Sequence, residues 1–174
     1  MGKINTKMCF MLVSLALIVY GCSNEKNSFG PLRSAHNHAD IKVYILGDTI
    51  DFRLLQYQLR DDLTHFENGD GDVVHTHATG ITLGYIFKTL SMELTEECIK
   101  TNMGKKYCND DNAMLKVFVK SRNSDWESIS YAADYVIQDL DKILVTYGTE
   151  SEEEIKEQME SVTDKAKESS MVKE

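Results

Sequence analysis

The stretch Asp70-Gly71-Asp72-Val73-Val74-His75-Thr76-His77 combines a turn-forming start with a β-branched run that carries two histidines. Gly and Asp favour turns and β-branched residues favour strands, so the stretch predicts a turn followed by a strand. Successive side chains of a strand point to opposite faces. We therefore expect His75 and His77 to share one face.

The same spacing occurs upstream at His36-Asn37-His38, and the fifth histidine of the chain is His65. Neutral imidazole is a good ligand for transition metals, so two convergent pairs predict a metal site with these five histidines as candidate ligands. An all-nitrogen site favours copper(II), and a tetrahedral site suits zinc(II). Two alternatives stay open: a hydrogen-bonded histidine cluster without a metal, and unrelated histidines on a solvated surface.

Four carboxylates lie close to the histidine pairs in the sequence, namely Asp40, Glu67, Asp70 and Asp72. A carboxylate can bind a metal itself, or it can orient a ligating imidazole through the second ring nitrogen. An ion with an open coordination position could support hydrolytic or oxidative chemistry, with Glu67 or Asp70 as the base. The function hypotheses are thus a metal-binding protein, a metal-dependent enzyme, and a cell-surface structural or interaction module without a metal.

The N-terminus has the pattern of an export signal. Lys3 and Lys7 precede an apolar run at residues 8–20, which is shorter than the roughly 20 residues that a membrane span needs. The following Gly21-Cys22 resembles the lipobox of prokaryotic lipoproteins. This resemblance implies cleavage before Cys22, a lipid anchor on its sulfur and a location on the outer face of the cell membrane. An ordinary signal peptide of a secreted protein and an uncleaved anchor are the alternatives.

Export also decides how the cysteines are interpreted. Once Cys22 is lipidated and the signal peptide is removed, Cys98 and Cys108 are left as an even pair. Thiols are oxidised outside the cytosol, so we expect a disulfide between them. A two-cysteine metal or redox site is the alternative.

Length and charge limit the number of domains and the classes of partner. A chain of 174 residues accommodates one domain with appendages. A formal charge of −9 argues against nucleic-acid binding, which needs clustered Lys and Arg. We expect a signal peptide at 1–21, a tether at 22–35, a globular domain at 36–148 and a charged C-terminal helix at 149–174.

Two β-hairpins are predicted in the first half of the domain. Residues 39–45 alternate between apolar and polar, and Gly47-Asp48 forms a turn into 49–52. Residues 63–67 and 73–78 flank a strong turn signal and form the second hairpin. That hairpin brings His65 near His75 or His77.

The second half of the domain contains a helix, two strands and the C-terminal helix. Thr82 can cap a helix at 83–90, and residues 115–119 alternate as a strand does. Residues 142–147, which follow a turn at 139–141, are predicted to form another strand. Ser151 and Glu154 form a capping-box pattern at the start of the C-terminal helix. A narrow apolar stripe on this helix consists of Ile155, Met159, Val162 and Ala166. So narrow a stripe predicts a helix that is docked weakly or mobile.

Two resemblances add expectations. The sequence VIQDLDKILVTYG (136–148) resembles the closing strands of small ubiquitin-like sulfur-carrier domains. This implies an α+β, β-grasp-like fold, in which a small mixed sheet built from hairpins holds one short helix. Carrier proteins end in Gly-Gly, whereas this sequence ends in Met-Val-Lys-Glu, so we expect no carrier chemistry.

The two histidine segments together, HNHADIKVYI (36–45) and GDGDVVHTHATGITLG (69–84), resemble a family of uncharacterised exported archaeal proteins, including those of ammonia-oxidising lineages. That resemblance spans most of the body of the chain. It implies export and an archaeal source, and it implies no particular reaction.

Overall fold

A computed structural model describes residues 29–171 of the chain. The predicted signal peptide, Cys22 and the first part of the predicted tether lie outside the described residues. Within residues 29–171, no helix is both long enough and apolar enough to span a membrane.

The predicted α+β class is confirmed. The described residues contain ten strands, three α-helices and two short 3-10 helices at Leu55–Tyr57 and Ala132–Asp134. The strands are β1 (Asn37–Ile45), β2 (Asp48–Thr49), β3 (Thr64–His65), β4 (Val73–Thr76), β5 (Glu93–Leu94), β6 (Cys98–Lys100), β7 (Lys106–Cys108), β8 (Met114–Lys120), β9 (Glu127–Ser128) and β10 (Lys142–Gly148), and the helices are α1 (Leu83–Thr89), α2 (Glu152–Ser161) and α3 (Lys165–Ser169).

The main sheet is mixed and has the strand order β3-β4-β1-β10-β8-β9, with β2 also paired to β1. At its centre β1 and β10 run parallel, in a register that sets Asp40 beside Lys142. All other neighbours in this sheet are antiparallel. The first and last strands of the domain are therefore neighbours in its middle.

The predicted alternation of β1 is confirmed by burial. Ala39, Ile41 and Val43 lie in one hydrophobic core with Ile86 and Phe87 of helix α1. The turn into β2 lies at Leu46 and Gly47, one residue earlier than predicted, and both have positive φ (54° and 85°). A two-residue hairpin of this kind needs left-handed backbone at both central positions, which Gly47 adopts without strain.

The second hairpin and helix α1 are also confirmed. Strands β3 and β4 pair so that His65 lies opposite His75. The Thr82 hydroxyl accepts a hydrogen bond from the Tyr85 N–H (3.2 Å) and so caps α1. The helix buries Leu83, Ile86 and Phe87.

A second sheet of three strands, β5-β6-β7, was not predicted. Its strands are only two or three residues long, which is too short for a periodic pattern to reveal them. Cys98 and Cys108 lie opposite each other in β6 and β7 and form the predicted disulfide. Because the two sulfurs are bonded to each other, the alternative of a two-cysteine metal site is wrong.

The C-terminal helix is broken into α2 and α3 at residues 162–164, where the sequence predicted one helix. The capping box at Ser151 and Glu154 is present. Docking is tighter than predicted from the break onward, since Val162 in the break and Ala166 in α3 are buried. Helix α3 covers the face of β1 that is opposite to the core.

Asp40 explains why α3 docks there. Its carboxylate accepts hydrogen bonds from the Thr163 hydroxyl, from the Lys165 N–H (3.0 Å) and from the Ala166 N–H (3.2 Å). Burial raises the pKa of Asp40, and these hydrogen bonds partly oppose that rise. A buried carboxylate on the sheet therefore caps the start of a helix that lies far away in the sequence.

Candidate metal centre

All five histidines lie together on one face of β1, β4 and β3 and the residues that flank these strands. In the sheet register, His75 is directly opposite His38 on β1 and His65 on β3, so three histidines form a row. His36 and His77 are each two residues further along and therefore share that face. The predicted convergence of the two pairs is found, and His65 joins them.

Ring contacts connect the whole cluster. The shortest distances between ring centroids are 4.6 Å for His38–His75 and 4.8 Å for both His36–His38 and His36–His77. His65 is 4.9 Å from His77 and 6.0 Å from His75. Five imidazoles thus occupy one patch of the sheet.

Three of these rings can hold one metal ion. One imidazole nitrogen from each of His36, His38 and His75 lies within 4.8 Å of the other two. Metal–nitrogen bonds of about 2.0–2.1 Å in a tetrahedral site place ligand nitrogens about 3.3 Å apart. Small side-chain rotations toward a common centre would therefore complete the coordination.

The cluster runs from solvent into the protein. His36 is exposed and His65 and His77 are half-buried, whereas His38 (7% exposed) and His75 (8%) are buried. An open cleft of about 780 Å³ gives access to the exposed end. The cleft is lined by Leu32, Arg33, Ala35, His36, Asp62, His65 and His77.

His75 is kept in the form that binds metals. Burial of its ring, together with the charges of the four neighbouring histidines, lowers the pKa of His75 to about 4. Its Nδ1 is buried and has no hydrogen-bond partner among the described residues, and the Glu67 carboxylate lies 3.7 Å away. A neutral imidazole with an unsatisfied buried nitrogen is suited to accept an ion.

Backbone and hydroxyl contacts fix where these rings stand. The Thr64 hydroxyl donates to the carbonyl of His75 (2.9 Å), and the His77 N–H donates to the carbonyl of Leu63 (2.8 Å). On the other side, the His38 N–H donates to the Asp139 carboxylate (3.1 Å). The first two contacts hold β3 and β4 together, and the third fixes the start of β1 against the segment before β10. The spacing of the rings then follows from the sheet register.

Of the four carboxylates noted in the sequence, Glu67 is the one placed against the rings. Its oxygens lie 3.5 Å from His65 Nε2 and 3.7 Å from His75 Nδ1. The others are engaged elsewhere, since Asp40 caps α3 and Asp72 binds Lys42 and Lys165. Asp70 lies 3.3 Å from Lys165 Nζ, so its candidacy as a base beside the ion is not supported.

Two residues at the site were not found by sequence reasoning. The carbonyl of Asp61 accepts a hydrogen bond from His65 Nδ1 (2.8 Å), and Asp139 holds the backbone of His38. Both contacts depend on how the loops that carry Asp61 and Asp139 fold, and no sequence motif predicts such contacts.

Comparisons with known proteins gave no match to the chain among family models, curated proteins or solved structures. What the site does must therefore be argued from the chemistry of its own residues.

Proposed function

We propose that this chain is an exported, membrane-tethered protein that binds a copper or zinc ion through its histidine cluster. The observation that carries the proposal is the convergence of His36, His38 and His75, in which one ring nitrogen of each lies within 4.8 Å of the other two. Two of these rings, His38 and His75, are buried, so most of the site is formed before an ion binds.

The number and charge state of the histidines also support the proposal. Clustered imidazoles repel each other once protonated, so five of them in one patch bring no benefit to an apo protein. Burial keeps His75 neutral at physiological pH. Nitrogen ligands alone favour copper(II), and a fourth ligand in a tetrahedral arrangement favours zinc(II).

Export and tethering rest on the N-terminal pattern, which lies outside the described residues. The Cys98–Cys108 disulfide supports this part of the proposal, because disulfides persist in oxidising compartments and are rare in the cytosol. With Cys22 as the lipidated residue, the membrane is the first partner, and the resemblance to exported archaeal proteins agrees with this placement. The acidic charge makes nucleic acid an unfavourable partner.

Elemental analysis of the full chain, purified without a histidine tag, tests the metal. We expect at least one copper or zinc ion per chain and a raised melting temperature on metal addition. His36→Asn should lose that metal and still fold, because His36 is exposed. Arg33→Asn is the matched control: Arg33 lines the same cleft at a positive φ that Asn tolerates, and metal binding should persist.

The same experiment decides against the proposal if neither copper nor zinc binds stoichiometrically and neither raises the melting temperature. That result would favour the remaining hypothesis, a surface module whose histidines only connect the two hairpins.

A metal-dependent enzyme is a second candidate, favoured by the open cleft and by the position of Glu67 beside the rings. Catalysis needs an open coordination position on the ion. Azide added to the copper(II)-loaded chain should change its visible absorption if such a position exists. An unchanged spectrum would indicate a closed coordination sphere and would argue against catalysis.

A further inference from the structure

We propose that the cluster holds a second cation, placed between Glu67 and His65 and connected to the first ion through His75. This inference rests on the proposed function, since the first ion occupies the position of His36, His38 and His75. The second position uses one carboxylate and two ring nitrogens that the first position leaves unused.

The tautomer of His65 follows from its hydrogen bond to the backbone. Its Nδ1 lies 2.8 Å from the carbonyl oxygen of Asp61. A carbonyl can only accept, so Nδ1 carries the hydrogen, and in the neutral ring the lone pair is on Nε2. That lone pair faces the Glu67 Oε2 atom at 3.5 Å. Two acceptors that face each other at this distance repel each other, and a cation between them removes the repulsion.

The other oxygen of the same carboxylate faces His75. Glu67 Oε1 lies 3.7 Å from His75 Nδ1, the buried atom without a hydrogen-bond partner among the described residues. One carboxylate oxygen of Glu67 thus faces His65, and the other faces His75. Spacings of 3.5 and 3.7 Å are close to the roughly 3.3 Å between two ligands of a tetrahedral metal ion.

The cluster contains enough ligands for two ions. His75 stands between His38 and His65 in the row across the sheet. With Nδ1 on the second ion and Nε2 on the first, its ring would bridge the two ions as an imidazolate, and its N–H proton would pass to solvent. His77 lies 4.8 Å from His36 and 4.9 Å from His65 between ring centroids, so it can complete either coordination sphere.

Metal stoichiometry tests the second position. The untagged full chain is loaded with copper(II), and separately with zinc(II), dialysed and analysed for metal. We expect two ions per chain for the wild type, and one ion for Glu67→Gln and for His65→Asn. Asp62→Asn removes the same charge from an exposed position in the same cleft and should keep two. Circular dichroism confirms that each variant is folded, and His65→Asn decides the test if Glu67→Gln does not fold.

Spectroscopy separates a bridged pair from two independent ions. Copper(II) ions that share an imidazolate couple magnetically, so the integrated spin resonance signal of the doubly loaded chain should fall well below two spins. One ion in the wild type and an unchanged ion count in Glu67→Gln would overturn the second position and leave the proposed function intact. In that case a proton, as an imidazolium–carboxylate pair, occupies the space. No metal in any variant would overturn both.

Discussion

His38 and His75 face each other directly across β1 and β4, with ring centroids 4.6 Å apart and ring planes at 78°. Their spacing is set by the backbone register of the two strands. Both rings are buried, so little conformational freedom is left to lose when an ion binds. The pair is therefore the preorganised part of the site, and the exposed His36 is the part that adjusts.

The stability of the apo chain should depend on pH through His75. The folded state lowers the pKa of His75 from 6.5 to about 4, so the unfolded chain binds one more proton between these values. Its contribution is fully present above pH 6.5 and is lost as the pH falls toward 4, by up to about 3 kcal/mol. Urea unfolding in the presence of a chelator, from pH 7 to pH 4.5, measures the slope.

His75→Gln should remove most of this pH dependence. His36→Gln, at an exposed position of the same cluster, serves as the control and should keep most of it. An equal slope in the wild type and in His75→Gln would show that other groups cause the loss of stability in acid.

Removing the carboxylate of Asp40 should release helix α3 from the sheet. Asp40→Ala deletes three hydrogen bonds at the start of that helix, and we expect a loss of about 1–3 kcal/mol in the free energy of unfolding. Hydrogen exchange should become faster at residues 165–169. Asp164→Ala breaks only an exposed ion pair with Lys142, and it should cost less than about 1 kcal/mol.

The disulfide should stabilise the second sheet and leave the metal site unaffected. It closes a short loop, because the cysteines are 10 residues apart, and removing it should cost about 2–3 kcal/mol. The double variant Cys98→Ser/Cys108→Ser should show this loss in urea unfolding and should bind metal at the wild-type stoichiometry. Alkylation of either thiol in the denatured, unreduced wild type would contradict the bond.

The β1–β2 turn offers a stabilising substitution. Leu46 adopts a φ of 54° at an exposed position, and left-handed backbone costs an ordinary residue about 1–2 kcal/mol. Leu46→Asn should therefore raise the free energy of unfolding by about 0.5–1 kcal/mol, because Asn-Gly suits this turn. Leu54→Asn, at an exposed leucine with a φ of −62°, should bring no such gain.

The sequence predicted those features that local pattern determines. Alternation predicted β1 and β8, the turn at 68–71 predicted the second hairpin, and Thr82 predicted the start of α1. The His-x-His spacing then required each pair to share a face. Because two hairpins on one sheet leave few arrangements, the convergence of the pairs could be predicted without coordinates.

Features that depend on distant partners were beyond the reach of local pattern. Asp40 was noted only as a carboxylate close to the histidines in the sequence, yet it is only 2% exposed because α3 covers it. Nothing near Asp40 in the sequence signals a helix that begins at Lys165. In the same way, Glu67 and Asp70 both lie in the segment between His65 and His75, and only the fold pairs Asp70 with Lys165 and Glu67 with the rings.

The parallel pairing of β1 with β10 has a consequence for the timing of metal loading. These strands are separated by about a hundred residues, and such long-range contacts form late and slowly in folding. A nascent chain that ends before β10 lacks the central neighbour of the strand that carries His38. Capture of the proposed ion would therefore follow the completion of synthesis, and the compartment in which the finished chain folds would determine which ion it meets first.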